Sequence, residues 1–323
     1  MWTPPLYATG GGAPIDQLIS MVHVFMLAIF IPWSIIFVYW LVRYRQREGH
    51  KAEYQPIKAK VSKAAELGVI LFEAFLLLFM SMPVWAKYKN EPPLQGKRTE
   101  VRVIGEQFQW NFHYAGKDGI FGKTDTKLIN ANNVLGLVES DPAAADDIVL
   151  VNECHLPVNK PIYLRLTTKD VIHSFSIPTM RVKQDIIPGM EIPIWFTVDE
   201  SATTAAISQQ MIQSYPVDGM NWYKVRHMLA VEDHKSRGGE VILAKGADMG
   251  PDLKSGNELI EKLVKSGITT LRLQPRNPME VVCAQLCGNS HFKMKAQLIT
   301  HTEADYNKWV ETAGKKQEMK VDF

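Results

Sequence analysis

Residues 283–294 read Cys-Ala-Gln-Leu-Cys-Gly-Asn-Ser-His-Phe-Lys-Met, a run that places two thiols, an imidazole and a thioether within twelve positions. Thiolate and thioether groups are soft ligands, which select copper, zinc or iron–sulfur clusters. The methionine favours copper, because zinc sites draw their ligands from Cys, His and carboxylates. Two cysteines four positions apart on a tight loop can also bridge two metal ions. The run therefore predicts a copper site at Cys283, Cys287, His291 and Met294.

A bridged pair of metal ions needs a second imidazole from elsewhere in the chain. His173 is the best candidate, because it lies in the strand-like run of residues 171–178. Two alternatives stay open for the cysteines: a structural disulfide in an oxidising compartment, and a zinc site of the Cys2His2 type. Cys154 lies apart from the cluster, and we interpret it as a buried thiol.

The sequence around this run alternates between apolar and polar residues with a period of two, which is typical of half-buried strands. Turn residues separate the alternating runs, so we predict a β-sandwich or barrel over residues 101–312. Residues 200–278 break the rhythm and are predicted to be an insertion that contains a short helix near residues 257–266. The clearest strand-like runs are residues 148–151, 163–166, 192–198 and 296–300.

Two long apolar stretches precede the β-rich part, and we predict transmembrane helices at residues 18–43 and 64–87. At 1.5 Å per residue, each is long enough to cross a hydrocarbon core of about 30 Å. The alternative is a pair of buried core helices, which are usually shorter and have a polar face. Residues 88–100 are then a linker, and residues 313–323 a polar tail.

The orientation of this hairpin follows from the loop at residues 44–63. From Arg43 to Lys63, both included, the chain carries seven basic residues and two acidic ones, so the positive-inside rule predicts a cytoplasmic loop. The N-terminal segment, residues 1–17, and the β-rich domain then lie outside. Residues 1–17 contain no Lys or Arg, which is unlike the basic start of a signal peptide.

Two glutamates belong to the second stretch. Glu73 lies inside the apolar run, where an ionisable group is costly and faces a partner or a water-filled path. It either handles protons or stays protonated and hydrogen-bonded to a neighbour. Glu66 lies two helical turns earlier, at the predicted cytoplasmic boundary.

Composition excludes several other classes of protein. The chain of 323 residues is 46% hydrophobic with a net charge of +2, which argues against disorder and against a general nucleic-acid binder. Its three cysteines are too few for a disulfide scaffold. The sequence has no Cys-x-x-Cys-His run for covalent haem.

The combined pattern resembles subunit II of the haem–copper cytochrome c oxidases. The resemblance rests on the Cys-x-x-x-Cys-x-x-x-His-x-x-Met run, the upstream Val-Ile-His-Ser at residues 171–174, the run Arg-Val-Lys-Gln-Asp-Ile-Ile-Pro-Gly at residues 181–189, and the helical hairpin. It implies an α+β membrane protein in which a two-helix transmembrane hairpin precedes a cupredoxin-like domain with an insertion. It also implies a binuclear copper centre, CuA. The ligands that it implies are His173, Cys283, the backbone carbonyl of Gln285, Cys287, His291 and Met294.

The resemblance extends to neighbouring residues. Asp185 matches an acidic position near a magnesium ion shared with subunit I, whereas Gln285 replaces the glutamate whose carboxylate binds that ion in the family. Phe108 occupies the position of the family's usual entry tryptophan for electrons, and Trp110 matches a later aromatic residue. The alternative for these aromatic residues is strand packing. Glu66 matches a glutamate near the mouth of a proton-uptake channel.

By resemblance, the chain is a non-catalytic relay within an oxidoreductase complex. CuA would accept electrons from an external c-type cytochrome and pass them to haem in subunit I, which also holds CuB and reduces oxygen while protons are pumped. Other oxidase subunits are further partners, and the location is the inner membrane, with the copper domain on the periplasmic side. The alternative from another class is a membrane-anchored copper storage or delivery protein with the same ligands. A quinol-oxidase subunit is disfavoured because that branch lacks the copper ligands.

Overall fold

The computed structural model describes residues 5–9, 12–49, 51 and 60–318, which divide into two compact units. One unit comprises the described residues up to Pro92, except for residues 5–9, which belong with the second unit from Pro93 onward. Residues 50 and 52–59 of the predicted cytoplasmic loop, which include Lys58, lie outside the described residues.

The first unit consists of the two long apolar helices. Helix α1 (Gly12–Arg43) has 32 residues, and a second helical run extends from Lys60 to Asn90. Each contains a stretch that is long and apolar enough to cross a membrane. Both helices are longer than the predicted spans of residues 18–43 and 64–87, because helical geometry continues into the polar flanks. The rings of Phe25 and Phe72 pack with their centroids 4.0 Å apart.

The second helical run contains one wide turn. It comprises α2 (Lys60–Phe75), a π-helical turn at Leu76–Ser81, and α3 (Met82–Asn90). Pro83 lies in the first turn of α3 and cannot donate a backbone hydrogen bond. The Met82 N–H bonds to the carbonyl of Leu77, five residues back, so the turn widens where the proline would otherwise crowd the helix.

The second unit is β-rich. Its strands are β1 (Ala8–Thr9), β2 (Thr99–Glu106), β3 (Gln109–Tyr114), β4 (Ile148–Val151), β5 (Glu153–Pro157), β6 (Pro161–Thr168), β7 (His173–Ile177), β8 (Val182–Ile186), β9 (Ile192–Val198), β10 (Gln213–Pro216), β11 (Met228–Ala230), β12 (His234–Lys235), β13 (Val241–Leu243), β14 (Thr270–Pro275), β15 (Met279–Cys283) and β16 (Lys295–His301). Its helices are α4 (Thr204–Gln210), α5 (Trp222–Val225), α6 (Leu253–Lys265) and α7 (Glu303–Glu318).

Two sheets form the main body of this unit. One has six strands in the order β1-β9-β6-β2-β3-β4, and the other has five in the order β5-β16-β15-β7-β8. Alternate residues of each strand point into a shared core, such as Val101 and Val103 of β2 and Val281 of β15. This arrangement confirms the predicted fold class, a cupredoxin-like β-sandwich after two apolar helices. Helix α7 covers one end, where Trp309 stacks on His155 with ring centroids 4.1 Å apart.

The predicted insertion has its own core. Strands β10, β14 and β11 form a three-stranded sheet, and β12 pairs with β13. Buried side chains of this region, including Leu263 and Leu271, cluster around Trp222. The indole N–H of Trp222 donates to the carbonyl of Met249 at 2.9 Å. The apolar positions that sequence analysis left without a role thus build a separate small core.

Helix α6 contacts the Trp222 ring at Gly256, which makes a test of this core possible. A Cβ at Gly256 would overlap the indole ring. We expect Gly256→Ala to destabilise the insertion by about 1–3 kcal/mol because of this overpacking, although alanine is the better helix former. Hydrogen exchange of the full chain should show faster exchange within residues 213–275 only. Gly238→Ala is the matched control, because its nearest non-neighbouring atom is Ser236 Oγ at 3.7 Å. Equal exchange in both variants would contradict the packing role of Gly256.

Candidate metal centre

The thiol loop, residues 283–294, connects β15 to β16 at one end of the five-stranded sheet. Strand β15 pairs with β7, and Cys283 lies opposite Phe175 in the register. Because β7 begins at His173, this pairing brings the histidine beside the loop from 110 residues away. The imidazole of His173 is fully buried, and Cys283, Cys287 and Met294 belong to the main core.

The two thiols lie side by side. The Sγ atoms of Cys283 and Cys287 are 3.8 Å apart, and both cysteines are free. Two thiolates bound to one tetrahedral ion at about 2.3 Å would be separated by about 3.8 Å. The Nδ1 atom of His173 lies 3.9 Å from the Cys283 Sγ. These three ligand atoms all lie within 4.8 Å of one another.

The remaining predicted donors surround the same thiols. The backbone oxygen of Gln285 lies 3.2 Å from the Cys283 Sγ. The Nδ1 atom of His291 and the Sδ atom of Met294 lie 3.5 Å and 3.7 Å from the Cys287 Sγ. The structure thus brings together the six groups that the sequence singled out, with one imidazole next to each thiol.

The loop conformation depends on a close approach at Gly288. This residue has φ of +137°, and a Cβ there would lie 2.8–2.9 Å from side-chain atoms of Gln107 and Phe108. The Gln107 side-chain amide donates to the carbonyl of Cys287 at 2.6 Å. The turn between β2 and β3 therefore packs against the thiol loop and stabilises its conformation.

Asp170 orients the upstream imidazole, a role that sequence analysis missed. Its Oδ1 atom lies 2.9 Å from Nε2 of His173, and its Oδ2 accepts from the backbone N–H of Gln107 at 2.7 Å. If the Nε2 proton is donated to Asp170, the Nδ1 lone pair faces the thiols. The sequence feature that could have indicated this contact is the Asp-x-x-His spacing. The spacing alone is not decisive, because the turn that joins β6 to β7 determines whether the two side chains meet.

The ionisation of the two thiols is unequal. Burial alone would raise the pKa of Cys283, but hydrogen bonds with His173 and the backbone lower this pKa to about 6. Burial and the adjacent Cys283 charge raise the pKa of Cys287 to about 12. One thiolate is therefore stable in the protein alone, whereas a second thiolate beside it needs a cation. A metal ion supplies that positive charge.

Two aromatic residues predicted near the centre lie at different depths. Trp110 is fully buried, and its ring centroid is 6.2 Å from that of His173. Phe108 is half-buried and lies against Gly288 of the thiol loop. Trp110 also packs edge-on against Phe175 at 5.5 Å, as expected for strand packing. Of these two residues, Phe108 is therefore the one nearer the surface.

Asp185 and Gln285 lie on opposite sides of β7. Asp185 pairs with Ser174 in the register of β7 and β8, and the N–H of Ala284 donates to the carbonyl of Ser174 at 2.9 Å. Both Asp185 and Gln285 are exposed. Glu66 is exposed in α2, which belongs to the other compact unit.

Comparisons with known proteins show what the chain is similar to. A family model described as the periplasmic domain of cytochrome c oxidase subunit II matches residues 99–210. The chain is 26% identical over 311 residues to the alternative cytochrome c oxidase subunit 2 of Bradyrhizobium diazoefficiens, which covers 96% of this chain and 83% of that protein. This chain is similar to cytochrome c oxidase subunit II over nearly its whole length. This similarity confirms the resemblance seen in the sequence, and the relatives are subunits of an oxidoreductase.

Other proteins similar to this chain are more distant. Cytochrome c oxidase subunit 2 of Thermostichus vulcanus is 23% identical over 239 residues, 73% of this chain and 41% of that protein. A crystal structure of the periplasmic domain of subunit II from Bradyrhizobium japonicum aligns with 70% of this chain and 99% of that chain, at 19% identity and a TM-score of 0.34. The family match ends at residue 210, near the start of the insertion, which separates the first part of the β-sandwich from the thiol loop.

The role of Asp170 can be tested by copper titration. We expect Asp170→Ala to weaken copper binding about 10–100-fold, because residues that orient a ligating imidazole contribute about that much to metal affinity. Asp170→Asn keeps an acceptor for Nε2 and should recover part of the loss. Asp218→Asn, at an exposed position of the insertion, is the control. Competition with a chelator of known affinity measures the effect, and wild-type affinity in Asp170→Ala would contradict it.

Proposed function

We propose that this subunit II chain holds a binuclear copper centre, CuA, and relays electrons from an external c-type cytochrome to the haem of subunit I. The observation that carries the proposal is the convergence of six donor groups on two adjacent thiols, described above. Copper bound there supplies one-electron redox chemistry. The protein's contribution is a closed and buried set of ligands, which leaves no open position for a substrate.

The donor set fits copper better than the alternatives from sequence analysis. Zinc sites are almost always four-coordinate and use Cys, His or carboxylate ligands, so six donors including Met294 exceed what zinc requires. The 3.8 Å separation of the Cys283 and Cys287 Sγ atoms suits two thiolates that share a metal rather than a disulfide. The ligand atoms of His173 and both thiols all lie within 4.8 Å of one another. His291 is not part of that group, but its Nδ1 atom lies 3.5 Å from the Cys287 Sγ. This distribution supports two ions, each with its own imidazole.

The surface around the thiol loop supports docking of a protein partner. Leu286 and Phe292 are 79% and 69% exposed, and both belong to the loop itself. Ile172, next to His173, is also exposed. Apolar side chains in such a cluster are typical of an interface. We assign this surface to subunit I or another oxidase subunit, and electron entry to Phe108 with Trp110 behind it.

We further propose the remaining roles by family resemblance. Asp185 would lie next to a magnesium ion shared with subunit I, and Gln285 would lack the carboxylate by which the family's glutamate binds that ion. Glu66 would serve proton uptake at the cytoplasmic boundary. The two apolar helices would span the inner membrane, with the loop at residues 44–63 in the cytoplasm and the copper domain in the periplasm. We assign the membrane hairpin to the residues before residue 88 and the copper domain to residues 101–312.

The alternative, a copper storage or delivery protein, is not supported by the comparisons. Storage and delivery require ligands that release copper, whereas the three sulfur ligands here, Cys283, Cys287 and Met294, are buried in the main core. Burial on this scale favours a fixed centre.

The bridging thiols provide the direct test of this function. We expect Cys287→Ser in the copper-loaded full chain to abolish the visible absorption and EPR signal of a delocalised copper pair, because one bridge is lost. Membrane insertion should be unchanged. Cys154→Ala is the matched control, because Cys154 is buried elsewhere in the main core. An unaltered pair signal in Cys287→Ser would contradict the bridging role.

Proton uptake is tested separately in the assembled oxidase. We expect Glu66→Gln to slow steady-state oxygen consumption while leaving the rate of CuA reduction unchanged, since the substitution removes an ionisable group far along the chain from the ligands. Glu91→Gln, just beyond the other end of the second helical run, is the control. Equal turnover in wild type and Glu66→Gln would remove the proposed role.

A further inference from the structure

A second site lies in the β-rich unit, apart from the metal centre. A cavity of about 850 Å³ opens between the six-stranded sheet, the chain after β3, and helix α7. None of its lining residues belongs to the thiol loop. Its volume lies within the range of small-molecule sites. Five cationic side chains line it: Arg98, Arg102, Lys117, Lys160 and Arg165.

The position of Arg102 follows from the alternation of β2. Val101 and Val103 point into the main core, so Arg102 lies on the opposite face of the sheet. In the parallel pairing of β2 with β6, Arg102 lies directly across from Arg165. Two like charges in this arrangement are destabilising unless anions compensate them.

The acidic side chains of this face hydrogen-bond to the other two arginines and act on Arg102 through electrostatic attraction alone. The Arg98 guanidinium donates to Glu100 at 2.9 Å. Arg165 donates to Glu191 at 2.9 Å and also to Glu100. Glu100 is therefore already shared between two arginines and has little capacity left for a third.

Arg102 is bound differently. Its guanidinium stacks on the ring of Phe121, with the central carbon 4.2 Å from the ring centroid. This stacking uses the face of the planar group and none of its N–H donors. The Nε atom of Arg102 is buried and has no hydrogen-bond acceptor within the described part of the chain. A buried cationic donor without an acceptor is costly, so the site is incomplete as a purely structural feature.

We propose that this cavity binds the phosphate group of a small molecule, with Arg102 as its central ligand and Lys117 and Lys160 as supporting charges. Phosphate offers the guanidinium edge two oxygens in a bidentate geometry, which a chloride ion cannot do. The size of the cavity leaves room for a group attached to the phosphate. That group is either the remainder of a soluble phosphate ester or the glycerol of a lipid head group.

The experiment titrates the full chain with three probes that separate these sources. Inorganic phosphate and glycerol 3-phosphate represent soluble ligands, and are added to the chain in a non-ionic detergent during calorimetry. Phosphatidylglycerol represents the lipid source, in nanodiscs compared with nanodiscs of phosphatidylcholine alone. We expect Arg102→Gln to weaken binding of the effective probe by about tenfold or more, as a charge-assisted bond is lost. Arg272→Gln, a half-exposed arginine of the insertion paired with Glu232, should bind within twofold of wild type.

Each outcome decides the proposal. Loss of binding in Arg102→Gln but not in Arg272→Gln supports it, and the active probe identifies the soluble or lipid source. Binding that is equal in wild type and Arg102→Gln overturns it. Failure of all three probes overturns it as well, as does equal competition by chloride at the same ionic strength. If Arg102→Gln does not fold, as judged by circular dichroism, Lys117→Gln replaces it. Lys117 is exposed, and its loss should weaken binding about fivefold; wild-type affinity there overturns the proposal.

Discussion

The metal centre depends on the antiparallel pairing between β7 and β15. In this register Cys283 lies opposite Phe175, so the first residue of β7, His173, meets the thiol loop across 110 positions of sequence. Both strands contribute to the main core, and the cysteines are buried in the same core. The ligands are therefore held by packing before any metal binds. If the proposed copper centre forms there, such ligands would change their geometry little when it gains or loses an electron.

The same organisation explains how the fold accepts a long insertion. The insertion lies between β9 and β15. Ala202 and Ile207 at its start belong to the main core, whereas its buried apolar residues from Val217 to Leu273 cluster around Trp222. The entropy cost of closing a longer connection grows slowly with its length. An insertion with its own core can therefore extend one connection of the β-sandwich and leave the β7–β15 pairing unchanged. It also explains why the family match stops near the start of this region.

Much of this structure was predictable because its signals are local. The runs at residues 148–151 and 192–198 are strands with the same limits in the structure. The spacing within the thiol loop already contained four of the donors. Asp170 was missed because its role depends on the orientation of His173, which only the folded turn defines. Arg102 was missed for a similar reason, because its partner across the sheet lies 63 residues away in sequence and becomes a neighbour only through the parallel pairing of β2 and β6. Patterns that depend on neighbours close in sequence could be interpreted directly, whereas contacts across sheets could not.

In the proposed centre, two copper ions share the thiols of Cys283 and Cys287. Metal analysis combined with EPR of the copper-loaded wild-type chain in detergent tests it most directly. We expect two copper ions per chain and the hyperfine pattern of one unpaired electron shared equally by both copper nuclei. A single copper ion with the hyperfine pattern of one isolated nucleus would contradict it.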